Sequence, residues 1–183
     1  MRLLKLPGPP PNDEQCAQGS KYTLVMPIDI KAMMTVRGEI YRESNELYWH
    51  WRLQRWPSAE CNLARPWRPT FIVNRPEGGE LFRIRRSSWF PATFEMLENG
   101  SLASTIELRS PLRNRYIIRI CNGPVWHFHM PIFTQHLYCE SDAGGQLWGI
   151  MGPSESQWNL LTAPGSNDAR IVAIMAFLHY QRA

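Results

Sequence analysis

Three histidines and a group of arginines are the residues here whose types and spacing suit chemistry. His127 and His129 lie two apart, so on a strand they share one face, as two ligands of an HxH metal site would. His136 can return on the next strand as a third. Such a site needs an acidic ligand a few residues after the pair, but Met130, Pro131, Ile132 and Phe133 follow His129. Trp126, Phe128 and Met130 occupy the opposite parity, which describes a two-faced strand with its histidines outward. No metal and no other cofactor is therefore expected. His127, His129 and His136 stand as the alternative, the site of a metal-dependent enzyme.

The arginines offer a different chemistry. Arg83, Arg85 and Arg86 share one hairpin arm, while Arg109, Arg113, Arg115 and Arg119 crowd a later connection and strand. Alternation places Arg83, Arg85, Arg115 and Arg119 on the side away from the core. Brought together by neighbouring strands, they form a basic face suited to phosphate or lipid headgroups. Glu80, Glu95 and Glu107 are near enough in sequence to pair with them across strands instead. That second reading, solvated ion pairs, is the plainer one and is favoured on spacing alone.

Other catalytic patterns fail on inspection. Gly152-Pro153-Ser154-Glu155-Ser156 lacks the spacing of a nucleophile elbow. Cys16, Cys61, Cys121 and Cys139 include no CxxC pair and read as reduced thiols of a cytoplasmic protein. Glu39, Glu43, Glu46, Glu95, Glu98 and Glu107 fall on strand faces and turns, where solvated charge is the default. Gly78-Gly79 and Gly144-Gly145 read as hairpin tips, not phosphate loops. The balance leans away from an enzyme.

The elements that must position these residues are short strands. Tyr22–Met26 and Met33–Tyr41 are candidates, and Glu46–Gln54 alternates clearly, with Leu47, Trp49, Trp51 and Leu53 on one parity. Four hairpins follow. Thr70–Asn74 and Glu80–Arg85 flank Glu77-Gly78-Gly79, and Ala92–Leu97 and Leu102–Leu108 flank Glu98-Asn99-Gly100. Arg115–Ile120 and Val125–Met130 flank Cys121 to Pro124, and His136–Glu140 and Gln146–Met151 flank Ser141 to Gly145. Even spacing points to a meander closing into a barrel or sandwich. The last element differs, because Ile171 to Leu178 are eight apolar residues in a row behind an Asn167-Asp168 cap. A helix there, about 168–181, would be apolar around its whole circumference and buried on every side.

Residues 1–20, with Pro7, Pro9, Pro10 and Pro11, read as a Pro-rich tail, and 21–183 as one domain. The Pro, Arg and Trp segment from Pro57 to Pro69 reads as a linker within it.

An apolar C-terminal helix behind so many hairpins resembles the tubby C-terminal-like superfamily, which includes the phospholipid scramblases and the LURP-one-related proteins. The phrases that carry the resemblance run from about Phe71 to the end. They are Gly79-Glu80-Leu81-Phe82-Arg83-Ile84-Arg85-Arg86, Phe94 to Gly100, Asn114 to Ile118, Gly149 to Gly152, and Asp168 to Ala176. The resemblance implies a closed antiparallel β-barrel around a central apolar C-terminal helix. It also implies phosphoinositide binding or membrane association with no defining enzyme activity. No family binding residue maps onto this chain.

Composition sets the remaining bounds. The chain has 183 residues, 44% hydrophobic and 20% charged, enough for one domain with a proper core. Its net charge is +4, and 17 of its 20 basic residues are Arg, a bias toward bidentate contacts with anions. No apolar run suits a signal peptide or a bilayer span. The expected partner is an anionic membrane surface, approached peripherally, or another protein. Nucleic acid is disfavoured, since Trp49, Trp51, Trp56 and Trp67 are the only aromatics interleaved suitably with Arg.

Overall fold

The computed structural model describes residues 19–25, 37–42, 46–54, 69–111, 114–130, 135–151, 157–164, 166 and 169–182. Twelve antiparallel strands and one helix account for most of them. The strands are β1 (Ser20–Val25), β2 (Arg37–Arg42), β3 (Leu47–Gln54), β4 (Thr70–Asn74), β5 (Glu80–Ser88) and β6 (Thr93–Glu98). They continue as β7 (Ser101–Ser110), β8 (Arg115–Ile120), β9 (Val125–His129), β10 (His136–Ser141), β11 (Gln146–Met151) and β12 (Gln157–Thr162). Each strand pairs with its neighbours in sequence, and β12 closes on β1, so the sheet is a complete up-and-down barrel without an edge.

The alternation expected from sequence sets the faces. Trp49, Trp51 and Leu53 of β3 point inward, as do Phe71 and Val73 of β4, Phe82 and Ile84 of β5, and Trp126 and Phe128 of β9. Barrel diameter grows with strand number, and about eight strands already enclose all that side chains alone can fill. Twelve leave a wider lumen. The helix α1 (Ala169–Arg182) fills it. Ile171 to Leu178 are all buried, over more than two turns, which only a surrounding wall provides. At 14 residues α1 is about 21 Å long, matching a strand of six residues.

Aromatic contacts fix the helix lengthwise. Phe177 meets Phe71 at 5.6 Å and Phe94 at 4.9 Å, both edge-on. Trp158 stacks on His179 at 4.5 Å, and Tyr180 lies 5.8 Å from Trp51. The helix therefore enters at the rim of tight turns and ends at the rim carrying the β5–β6 turn. At the entry rim, Ser166 Oγ accepts the Gln146 backbone N–H at 3.2 Å and ties the helix approach to the β10–β11 turn. Among the tight turns, Asn99 (φ 50) and Gly100 (φ 81) adopt the left-handed pair expected of Asn-Gly.

Several boundaries differ from the sequence expectation. The chain becomes strand at Ser20, inside the expected tail, because Thr162 Oγ1 donates to the Ser20 carbonyl and β1 needs that length to zip onto β12. The helix is described over 169–182, against the expected 168–181. The strand β12 was not expected at all, although it supplies the closure. The segment 1–18, residues 33–36, the linker at 57–68 and the Asn167-Asp168 cap lie outside the described residues.

Cys139 points inward from β10 and is fully buried, and that burial, with the nearby Glu140 charge second, pushes its thiol pKa far up. It should resist a maleimide in the native protein and react once unfolded, as peptide mapping by mass spectrometry would show. The sign for stability follows. Above about pH 8.5 the unfolded thiol ionises while the folded one stays protonated, so this contribution is complete below that pH and declines above it. Native-state labelling of Cys139 at the rate of a small thiol would contradict its placement.

Candidate functional site

The outer face from β5 to β8 gathers the arginines singled out from sequence. Register places Arg85 beside Glu95, Glu95 beside Thr105, and Thr105 beside Arg119, one row across four strands. Arg83 lies two residues along β5 from Arg85 toward the rim of tight turns. Arg115 lies four residues along β8 from Arg119 toward the opposite rim. All four sit on the outward parity, since Phe82, Ile84, Ile118 and Ile120 take the inward one.

Three of the four meet carboxylates. Arg83 donates to Glu80 through two nitrogens, at 2.8 and 2.6 Å, along its own strand instead of across strands. Arg85 reaches its register partner Glu95 at 3.3 Å. Glu107 is shared, with Arg119 at 3.0 Å on one oxygen and Arg109 at 3.1 Å on the other. Arg115 has no ion pair among the described residues, and its buried Nε finds no hydrogen-bond acceptor among them. Such a donor costs about 1–3 kcal/mol when left unmet. Counting Arg109 with these four, five arginines share this outer face with the glutamates that pair with them, Glu80, Glu95 and Glu107. The Arg83–Glu80 and Arg85–Glu95 pairs are exposed and individually weak, and with more arginines than glutamates the face keeps a positive surplus.

Arg86 follows the inward parity of Phe82 and Ile84, but at the rim. Its guanidinium lies 3.9 Å over the Trp89 ring and 5.6 Å over Phe94, while its Nε donates to the Ser88 carbonyl at 3.1 Å. Trp89 and Phe90, in the turn between β5 and β6, are the most exposed large apolar residues described, at 60% and 95%. Neither was singled out from sequence. The available signal was two aromatics in a four-residue turn, where small polar residues are usual.

No family model matches the sequence, and no curated protein or solved structure matches the chain. The site's chemistry is therefore read from its own residues.

The histidines stay apart. His127 and His129 face outward as expected, with Trp126 and Phe128 buried beneath them. His127 Nε2 lies 3.1 Å from Asp142 Oδ1. The residue opposite His127 on β10 is Glu140, so His136 is four positions along that strand, roughly 13 Å away. His129 stands between Arg115 and Tyr138. Tyr138 donates to Glu140 at 3.0 Å, and burial first, then that hydrogen bond, pushes its phenol pKa up to about 12. Among the described residues no three His, Cys, Asp or Glu side chains converge as metal ligands. Gly152 to Ser156, Arg113, Trp56 and Trp67 lie outside the described residues.

Proposed function

We propose that this chain is a non-catalytic, tubby-like barrel that binds anionic lipid headgroups peripherally through the arginine face of β5 to β8. The observation that carries the reading is the surplus of guanidinium over carboxylate there, with Arg115 lacking an acidic partner among the described residues. A closed barrel around an apolar C-terminal helix, the arrangement the resemblance implies, supports the family side of the proposal. Because α1 fills the lumen, recognition falls to the outer wall and the rims. No helix among the described residues is long and apolar enough to cross a membrane.

Headgroup phosphates suit this face. Arginine meets them bidentately, and each arginine near an anionic surface contributes on the order of 1 kcal/mol. Opening Arg85 from Glu95 costs little, since that arginine is about half exposed, whereas Glu107, only 14% exposed, holds Arg109 and Arg119 more firmly. Sedimentation with vesicles containing acidic phosphoinositides, at two salt concentrations, tests the reading. Wild type should bind at low salt and release as salt rises, because the Debye length is only about 8 Å at physiological ionic strength. A variant with Arg83, Arg85, Arg115 and Arg119 all changed to Glu should stay in the supernatant. Equal sedimentation of the two proteins at low salt would reduce the face to ordinary solvation.

A further inference from the structure

The β5–β6 turn carries a feature that a basic face does not explain. Four residues, Trp89 to Ala92, join the strands, and two of them put large aromatic rings into water. Phe90 is 95% exposed, so its ring contributes almost nothing to the core. The turn beneath it is nonetheless built with care. The carbonyls of Ser88, Phe90, Pro91 and Ala92 accept hydrogen bonds from Arg86 Nε, Ser88 Oγ, Thr93 Oγ1 and the Leu108 backbone N–H respectively, at 2.9 to 3.3 Å. Ser87 Oγ adds a bond to the Thr93 carbonyl at 3.3 Å. An ordered backbone thus holds two apolar side chains outward.

We infer that Trp89 and Phe90 form a wedge that enters the headgroup–acyl boundary of an anionic bilayer. The inference rests on the membrane-surface reading and gives it a depth and an orientation. Area and charge choose the occupant. Two such rings offer on the order of 300 Å², well short of the roughly 800 Å² per partner of a stable protein interface. Partitioning into a bilayer needs only a small apolar tip with cations behind it. Those cations are present: Arg86 stacks on Trp89, Arg85 follows one residue back along β5, and Arg109 stands near the same rim on β7. Tryptophan, with an apolar body and one N–H, suits that boundary. With the wedge inserted, this rim faces the membrane and the rim of tight turns faces away.

The test uses the whole chain and vesicles of phosphatidylcholine with phosphatidylserine. Both rings are exposed, so a Trp89→Ser/Phe90→Ser variant should melt as wild type does, and its partitioning should fall roughly tenfold or more. At high salt wild type should retain a residual binding that this variant lacks, because burial of apolar surface is not screened. A Trp89→Phe variant should keep binding yet lose the quenching of Trp emission by lipids brominated on the acyl chain. If the double variant binds as wild type while the fourfold Arg→Glu variant does not, the wedge is refuted and the basic face stands. If wild type ignores anionic vesicles altogether, both readings fall. Self-association of wild type in ultracentrifugation, abolished in the double variant, would make a second copy the occupant and overturn the inference.

Discussion

Replacing Ile174 by aspartate is expected to leave the protein unable to fold. Ile174 sits midway along α1 with no exposed surface, and its helical neighbours from Ile171 to Leu178 are all buried as well. A carboxylate there has no water and no cation within the apolar lumen. It must stay ionised at a cost of several kcal/mol or take up a proton and remain an unsatisfied polar group. The sec-butyl packing is lost in addition, about 2–5 kcal/mol by analogy with large-to-small changes. Total stabilities are only about 5–15 kcal/mol, so one such change removes most or all of the margin. Circular dichroism should show no cooperative melt, with the protein recovered mainly as aggregate. Ile174→Val is the control, expected to cost about 0.5–1.5 kcal/mol and to melt cooperatively. A soluble Ile174→Asp protein with a sharp transition would refute the central position of the helix.

That position was legible because eight apolar residues in a row leave a helix no solvent face. The strand faces were legible for a related reason. In β3 and β9 the alternation is unbroken, and Trp49, Trp51, Trp126 and Phe128 all take the inward side. The strand β12 escaped notice because the adjacent Leu160 and Leu161 break its period of two. Both are buried, Leu160 inside the barrel and Leu161 at 9% exposure on the other parity. Closure itself depends on which distant strands meet, and no local pattern encodes the pairing of Ser20 with Thr162.

The site was legible only in part. Parity correctly sent Arg83, Arg85, Arg115 and Arg119 outward. Their pairings needed the register. Arg83 turns back to Glu80 three residues away, Arg85 meets the glutamate directly opposite, and Arg119 reaches Glu107 diagonally. One glutamate serving two arginines is also invisible in sequence, and it is part of why the face keeps its surplus of positive charge. The aromatic turn was overlooked because Trp and Phe suggest a core, whereas position in a tight turn keeps them out of it.

The second large effect is expected at Gly38, whose register partner is Trp51. A Cβ placed there would lie 2.3 Å from Trp51 Cε2 and 2.4 Å from Cζ2 and Nε1, far inside contact distance. The indole has nowhere to go. It is 1% exposed, stacked on Phe71 at 4.8 Å and set against Tyr180 at 5.8 Å, and Phe71 in turn meets Phe177 of the helix. Gly38→Ala therefore displaces strand and helix aromatics together, an overpacking penalty at the upper end of about 1–3 kcal/mol. For a domain of this size that lowers Tm by roughly 5–10 °C. Trp51→Leu removes the clash while leaving its own cavity. Gly38→Ala should then cost far less in the Trp51→Leu background than in wild type, a coupling of about 0.5–3 kcal/mol. Thermal melts of the four proteins in the cycle decide the matter. Equal losses in both backgrounds would mean that the glycine is required for some reason other than the indole, and the packing between wall and helix would need another account.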